Sequence, residues 1–333
     1  MKKKVLLTKN FFNTDLRFLR ENLDQDCMLV VPEKYDEIEL IEKAGDINVF
    51  LGGYVSKDLL KAAPKLELIQ IPWTGVDKFN FDALKYTTAK VCNSHSNSTA
   101  VAEFSVALFL SLIKGIVVHD KLLRIGSWNR PLPNNDNLIS PFSPLISSLT
   151  IGIMGFGAIG SKICELLRPF KCKFVLYNSS PIPIDIEKMV KRAFYKDEID
   201  LFLSECDVLF VCLPLTDNTR QVLNKSTLRK LKKGAYLINT ARGEIINEED
   251  LYNALESNYL RGAAIDTWWK GPSKDAVMPS KYRFQDFENV VMSSHRAAMI
   301  ENELPHLEDA VTNINNLING LPLINEITSV KRY

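Results

Sequence analysis

Short apolar runs and helical spacings take turns along the first hundred residues. "KVLLT", "CMLVV", "INVFLGG", "LELIQIPWTG" and "AKVCN" are brief, rich in branched residues and ended by turn formers, so each is predicted as a strand. "TDLRFLREN" instead repeats its apolar positions at helical spacing. Such alternation predicts βα units and a mostly parallel sheet. Binding loops of parallel sheets lie beyond the carboxyl ends of the strands. "GGYVS" and "PWTGVD" are therefore expected to be site loops, although plain turns have the same composition.

The segment "NSTAVAEFSVALFLSLIKGIVVHDKLLRIGSW" is predicted as one long helix, with Ser98 as N-cap and Glu103 in its early turns. Its most apolar part, Phe104 to Val118, is interrupted by Lys114 and Gly115 and falls short of the ~20 residues of a membrane span. A buried helix is expected, and no membrane partner. A loop rich in proline and asparagine, Asn129 to Ser148, then leads to a second series. Its strands are "LTIGIMG", "KFVLYN", "VLFVCLP", "AYLINTA", "GAAIDTW" and "NVVMSSH". Helices are predicted from about Ala158, near Ile186 to Arg192, from about Glu248, and over Glu303 to Asn319. The pattern predicts an α/β protein of two doubly wound parallel-sheet domains. Residues 1–98 with 300–333 form a discontinuous first domain, and 99–299 form the second.

Composition narrows the partners. The 333 residues carry a net charge of +1, so no global field recruits nucleic acid. The cluster Lys2 to Lys4 precedes an apolar stretch too short for a signal peptide. Six cysteines, Cys27, Cys92, Cys164, Cys172, Cys206 and Cys212, form no C-x-x-C pair. That usage predicts reduced thiols in a cytoplasmic protein and no metal site.

Candidate chemistry starts at "LTIGIMGFGAIGSKI", where Gly155, Gly157 and Gly160 have the spacing G-x-G-x-x-G. Alone the spacing is a weak signal, and it also fits a glycine-rich turn without ligand. A strand before it and a helix after it favour a dinucleotide. Gly155 allows the tight turn, Gly157 the approach of a pyrophosphate, and Gly160 close packing of helix on strand. The helix N-terminus then meets the phosphates with free N–H groups. An acidic residue is expected at the end of the next strand, to hold the ribose diol. Asn178 stands there, followed by Ser179. An amide neither repels a 2′-phosphate nor binds it as arginine does, so the reading favours NAD and leaves NADP open.

The segments "WTGVD", "NSTAVAE", "RIGSW", "GFGAIG", "LPLTDNT", "NTARGEIIN", "GAAIDTW" and "SSH", in this order over nearly the whole chain, resemble the D-isomer-specific 2-hydroxyacid dehydrogenase family, which includes formate, glycerate and phosphoglycerate dehydrogenases. The resemblance implies two Rossmann-like domains, substrate-binding and dinucleotide-binding, and a homodimer. It implies hydride transfer between a nicotinamide and C2 of a small 2-hydroxy or 2-keto acid. By position, Arg242 and His295 are the implied catalytic residues. Gly155, Gly157, Ala158, Ile159, Gly160, Asn178, Ser179, Pro214, Thr240 and Asp266 are implied to bind the cofactor, with Asp266 facing the nicotinamide. Tyr54, Thr74, Gly75, Val76 and Asn97 are implied to bind substrate. The family usually pairs its histidine with a glutamate five residues beyond the aspartate of "GAAIDTW"; here that position is Gly271. Formate dehydrogenase carries glutamine there. Asp275, on the same loop, is a candidate replacement.

These types suit the chemistry. Charge builds on the substrate oxygen during hydride transfer, so a donor must stabilise it and a proton must follow. Arginine holds a carboxylate bidentately and stays charged. His295 alone of four histidines follows a strand of the second series; His95 is next in line. The favoured reading is a 2-keto acid reductase. The competing one is a non-catalytic dinucleotide-sensing protein whose chemistry decayed at position 271. "WW" at 268–269 fits either a site wall or plain packing.

Overall fold

The computed structural model describes residues 2–128, 143–188, 190–271, 277–301 and 304–327. Contacts divide the chain into two units, Met1–Asn97 with Ile300–Tyr333, and Ser98–Met299.

In the first unit the predicted strands form. They are β1 (Lys3–Leu7), β2 (Cys27–Val30), β3 (Val49–Leu51), β4 (Leu68–Gln70) and β5 (Lys90–Cys92). The helices are α1 (Asn13–Asn22), α2 (Glu37–Lys43) and α3 (Lys57–Ala62). All pairs are parallel, in the order β2-β1-β3-β4-β5. Side chains alternate across the sheet with period two. Leu6, Phe50, Ile69 and Val91 pack with Leu40 and Leu59 of α2 and α3. Val5, Leu7, Val49, Leu51 and Leu68 pack on the other face with Leu307, Ala310, Val311 and Ile314. Asp36 and Ser56 cap α2 and α3 by accepting from Glu39 N and Leu59 N, each bond worth about 1 kcal/mol.

The second unit begins with α4 (Ser98–Ile113) and α5 (Ile116–Arg124). Here the expected single helix is broken: Gly115 takes φ +63° and the two pieces bend by 58°. Glycine adopts that left-handed conformation without a Cβ penalty. Ser98 lies inside the helix rather than capping it. Among the described residues no single helix is long and apolar enough to cross a membrane, though this bent pair passes by length and composition. Val106, Phe109 and Ile113 of α4 are buried against Ile151, Phe210 and Ala264 of the second sheet.

That sheet contains β6 (Thr150–Met154), β7 (Lys173–Asn178), β8 (Arg192–Tyr195), β9 (Val208–Val211), β10 (Tyr236–Asn239), β11 (Gly262–Ile265) and β12 (Val290–Met292). The helices around it are α6 (Ala158–Leu167), α7 (Ile184–Glu187), α8 (Ile199–Glu205), α9 (Lys225–Leu228) and α10 (Glu248–Glu256). The helix expected over Ile186 to Arg192 is thus a short turn followed by a strand. β8 pairs in parallel with β7, Leu176 opposite Ala193. Phe194, fully buried, supplies an apolar anchor that helical spacing had concealed. Strand order is β12-β11-β10-β9-β6-β7-β8, all parallel. Both faces are covered, so adjacent strand residues such as Leu209 and Phe210 are buried in opposite layers. The chain returns to the first unit as α11 (Pro305–Ile318), and Glu326 bridges Cys92.

Candidate active site

The candidate residues of the second unit all lie at or just beyond the carboxyl ends of parallel strands. From β12 to β7 the order runs His295, Asp266, Thr240 with Arg242, Pro214, the glycine turn, and Asn178. The direction of winding reverses between β6 and β9, the place where open α/β sheets bind ligands.

The glycine turn is built from three different constraints. Gly155 has φ +102°, and a Cβ there would stand 2.7 Å from the carbonyl oxygen of Cys212. At Gly160 a Cβ would stand 2.3 Å from the Gly155 carbonyl oxygen, so α6 rests directly on the turn. A Cβ at Gly157 would meet nothing within 4 Å. The protein therefore leaves open the approach that a pyrophosphate needs, and the turn fits a dinucleotide. Ala158 and Ile159 open α6. Asn178 braces the turn: its Oδ1 accepts from Phe156 N at 3.2 Å, and its Nδ2 donates to Ser180 O at 2.9 Å. Ser179 is exposed beside it.

Pro214 follows β9, and its carbonyl accepts from Thr219 Oγ1 at 2.6 Å. Thr240 is buried, its hydroxyl 2.7 Å from that of Ser105 on α4. Asn239, fully buried, shapes the Arg242 loop: its Nδ2 donates to Arg242 O and its Oδ1 accepts from Ala241 N. The Arg242 guanidinium donates to Ala241 O at 2.8 Å.

Asp266 is fully buried, and its two oxygens accept from the backbone amides of Arg296 and Ala297 at 2.8 and 3.2 Å. The carboxylate thus grips the loop that carries His295, a contact sequence reasoning missed. His295 is exposed and has φ +59°, a conformation few non-glycine residues adopt. Gly271 is exposed, and a Cβ there would meet nothing within 4 Å. Asp275 lies outside the described residues. Among the described residues no group of acidic, histidine or cysteine side chains could hold a metal.

In the first unit, the structure joins the two expected substrate loops. A Cβ on Gly53 would stand 2.4 Å from the Trp73 ring, so the Tyr54 loop lies on the Trp73 loop. Tyr54 is exposed, and partial burial with Glu37 nearby raises its hydroxyl pKa. Thr74 Oγ1 is 3.1 Å from Asn97 Oδ1 and donates to Ser94 O at 2.9 Å. Gly75 follows, half-buried, and Val76 is buried. His95 is tied to α11, its backbone N–H donating to Asp309. Burial lowers its imidazole pKa, partly offset by Asp309.

Comparison with known proteins decides the family. Residues 106–297 match the model of the D-isomer specific 2-hydroxyacid dehydrogenase NAD binding domain. A glyoxylate reductase of Thermofilum pendens is 32% identical over 328 residues, 95% of this chain and 92% of its own. The chain belongs to the D-isomer-specific 2-hydroxyacid dehydrogenases. A second glyoxylate reductase, from Aeropyrum pernix, is 30% identical over 89% of this chain and 86% of its own. In fold, this dehydrogenase is similar to a probable 2-hydroxyacid dehydrogenase of Rhizobium etli solved with NADP, HEPES and L(+)-tartaric acid. That match has a TM-score of 0.81 at 22% identity and covers all of both chains.

Proposed function

We propose that this dehydrogenase reduces a small 2-keto acid at C2 with a nicotinamide dinucleotide. One observation carries the reading: a single edge of the parallel sheet presents the glycine turn, Arg242 and His295 in strand order. The glycine turn, α6 and Asn178 would hold the pyrophosphate and adenosine ribose, with Pro214, Thr240 and Asp266 along the rest of the cofactor. When bound, the nicotinamide supplies the hydride. Arg242 binds the substrate carboxylate and stabilises charge on the keto oxygen. His295 gives that oxygen its proton. The first unit is the substrate-binding unit in this reading, with Tyr54, Asn97 and the backbone of Thr74, Gly75 and Val76 as its expected substrate contacts.

Glyoxylate is the first substrate to try, because two relatives bear the name glyoxylate reductase. The proposal includes a homodimer and a cytoplasmic location; the six unpaired cysteines support the latter. The purely dinucleotide-sensing alternative draws no support from these relatives, which carry enzyme names. The test is oxidation of NADH and NADPH with a panel of 2-keto acids, glyoxylate, hydroxypyruvate and pyruvate included. Tight cofactor binding without turnover of any member would overturn the reading.

A further inference from the structure

Between the Arg242 and His295 loops runs the segment that follows β11, Asp266 to Trp269. On the β10 side it supports the arginine loop. Gly243, next to Arg242, has no Cβ; one would stand 2.4 Å from the carbonyl carbon of Trp268 and 2.8 Å from Trp269 N. The arginine loop therefore lies directly on the Trp268–Trp269 peptide. Trp269 Nε1 then donates to Ile246 O at 2.8 Å, closing the turn that begins after Arg242.

On the β12 side the same segment holds the histidine loop. Trp268 Nε1 donates to Ser293 O at 2.7 Å, two residues before His295. Asp266 takes the amides of the two residues after it. The left-handed conformation of His295 is strained for a non-glycine residue and persists only where flanking structure imposes it. Here ties on both sides impose it. Both indoles rest on one buried ring, Phe284, at centroid distances of 6.0 and 5.6 Å, with Trp269 stacked at 15°.

We propose that Trp268 and Trp269 form a two-armed bracket, in which Trp269 positions the loop of Arg242 and Trp268 the loop of His295. Neither indole needs to touch substrate; both are positioning residues. This rests on the roles given above to Arg242 and His295. Reacting groups displaced by an ångström lose much of their rate, so a shared support for both loops has a direct chemical use.

The test removes each donor separately. Trp268→Phe and Trp269→Phe keep an aromatic ring. Replacement of either indole by benzothienylalanine keeps its shape and removes only the N–H, and serves where a phenylalanine variant fails to fold. Hydrogen–deuterium exchange on the full chain reads the bracket without activity. Loss of the Trp268 donor is expected to speed exchange about tenfold at amides 293–297 and to leave 243–246 unchanged; loss of the Trp269 donor does the reverse. In turnover, the Trp268 variants are expected to lower kcat about tenfold with KM within about twofold, and to raise the solvent isotope effect. The Trp269 variants are expected to raise the keto-acid KM about tenfold with little change in kcat. Equal changes at both loops, no change at either, or kcat and KM altered in the same proportion by both replacements would overturn the bracket. A wild type without turnover on the panel overturns the proposed function instead, and the exchange measurement still decides the bracket.

Discussion

Gly157→Ala and Gly160→Ala make a paired test of the glycine turn, because the same added methyl meets opposite surroundings. At Gly160 the new Cβ stands 2.3 Å from a backbone oxygen and 2.9 Å from Ile153 Cγ2. Reaching ordinary contact requires α6 to retreat by about 1.1 Å from the strand it packs on, an overpacking that costs about 1–3 kcal/mol. At Gly157 the methyl enters open space, and φ −98° with extended ψ suits any residue. Folding stability should hold, or rise by about 0.4–1 kcal/mol through the less flexible unfolded chain. The cost there falls on the ligand. Losing one amide contact to a charged phosphate is worth about 1.5–3 kcal/mol, which weakens binding by roughly ten- to a hundredfold. Urea unfolding and NADH fluorescence titration measure the two quantities. Gly157→Ala that binds NADH as the wild type does would refute the placing of the pyrophosphate. Gly160→Ala with an unchanged unfolding midpoint would refute the contact between α6 and the turn.

Arg242→Ala should remove keto-acid turnover while sparing cofactor affinity, with a loss of about 3 kcal/mol in kcat/KM; a normal kcat/KM in the panel assay rejects its assignment. Asn178→Asp keeps an acceptor for Phe156 N and adds a charge that repels a 2′-phosphate. The ratio of kcat/KM for NADH over NADPH should rise, and an unchanged ratio means that the ribose lies elsewhere. Burial lowers the pKa of His306, against the opposing pull of Asp15, and that of His95, against Asp309. Both are neutral in the fold at pH values where the unfolded chain, at its ordinary 6.5, already takes up protons. Stability should therefore fall as pH drops below about 6.5 and level off below the folded values. His306→Gln should flatten part of that fall between pH 7 and 5 in urea midpoints, and an identical slope contradicts the burial argument.

Among the described residues, eleven of the twelve strands could be read from the pattern because both sheets are parallel and covered on both faces, which writes each strand as an apolar run. β8 could not. Its only fully buried side chain is Phe194, and Arg192 at its start is exposed, so an edge strand left too little apolar signal. The break at Gly115 had its signal, a Lys–Gly pair inside the helix, but apolar spacing continues beyond it. At the site, the glycine spacing and the carboxyl-end loops were legible because turns and phosphates demand particular residues. The grips of Asp266 on amides 296–297, of Asn239 on the Arg242 loop and of the two indoles on neighbouring carbonyls were not. Each ends on a backbone atom, which any residue type supplies, and all but that of Asn239 join positions distant in sequence.

The interrupted first unit sets an order on synthesis. Its sheet is finished when residue 92 is made, yet the helix covering Val5, Leu7, Val49, Leu51 and Leu68 begins at Pro305. Gln70 waits for Asn313, and Asp24 for Asn315. At ribosomal speed the intervening chain takes on the order of 10–40 s to emerge. For that interval one apolar face of the nascent sheet has only Phe11 and α1 as cover, while the second unit already has its whole sequence available before α11 appears. The usual succession is thus inverted: the part begun second is the first that can complete its core, and the part begun first closes only with α11.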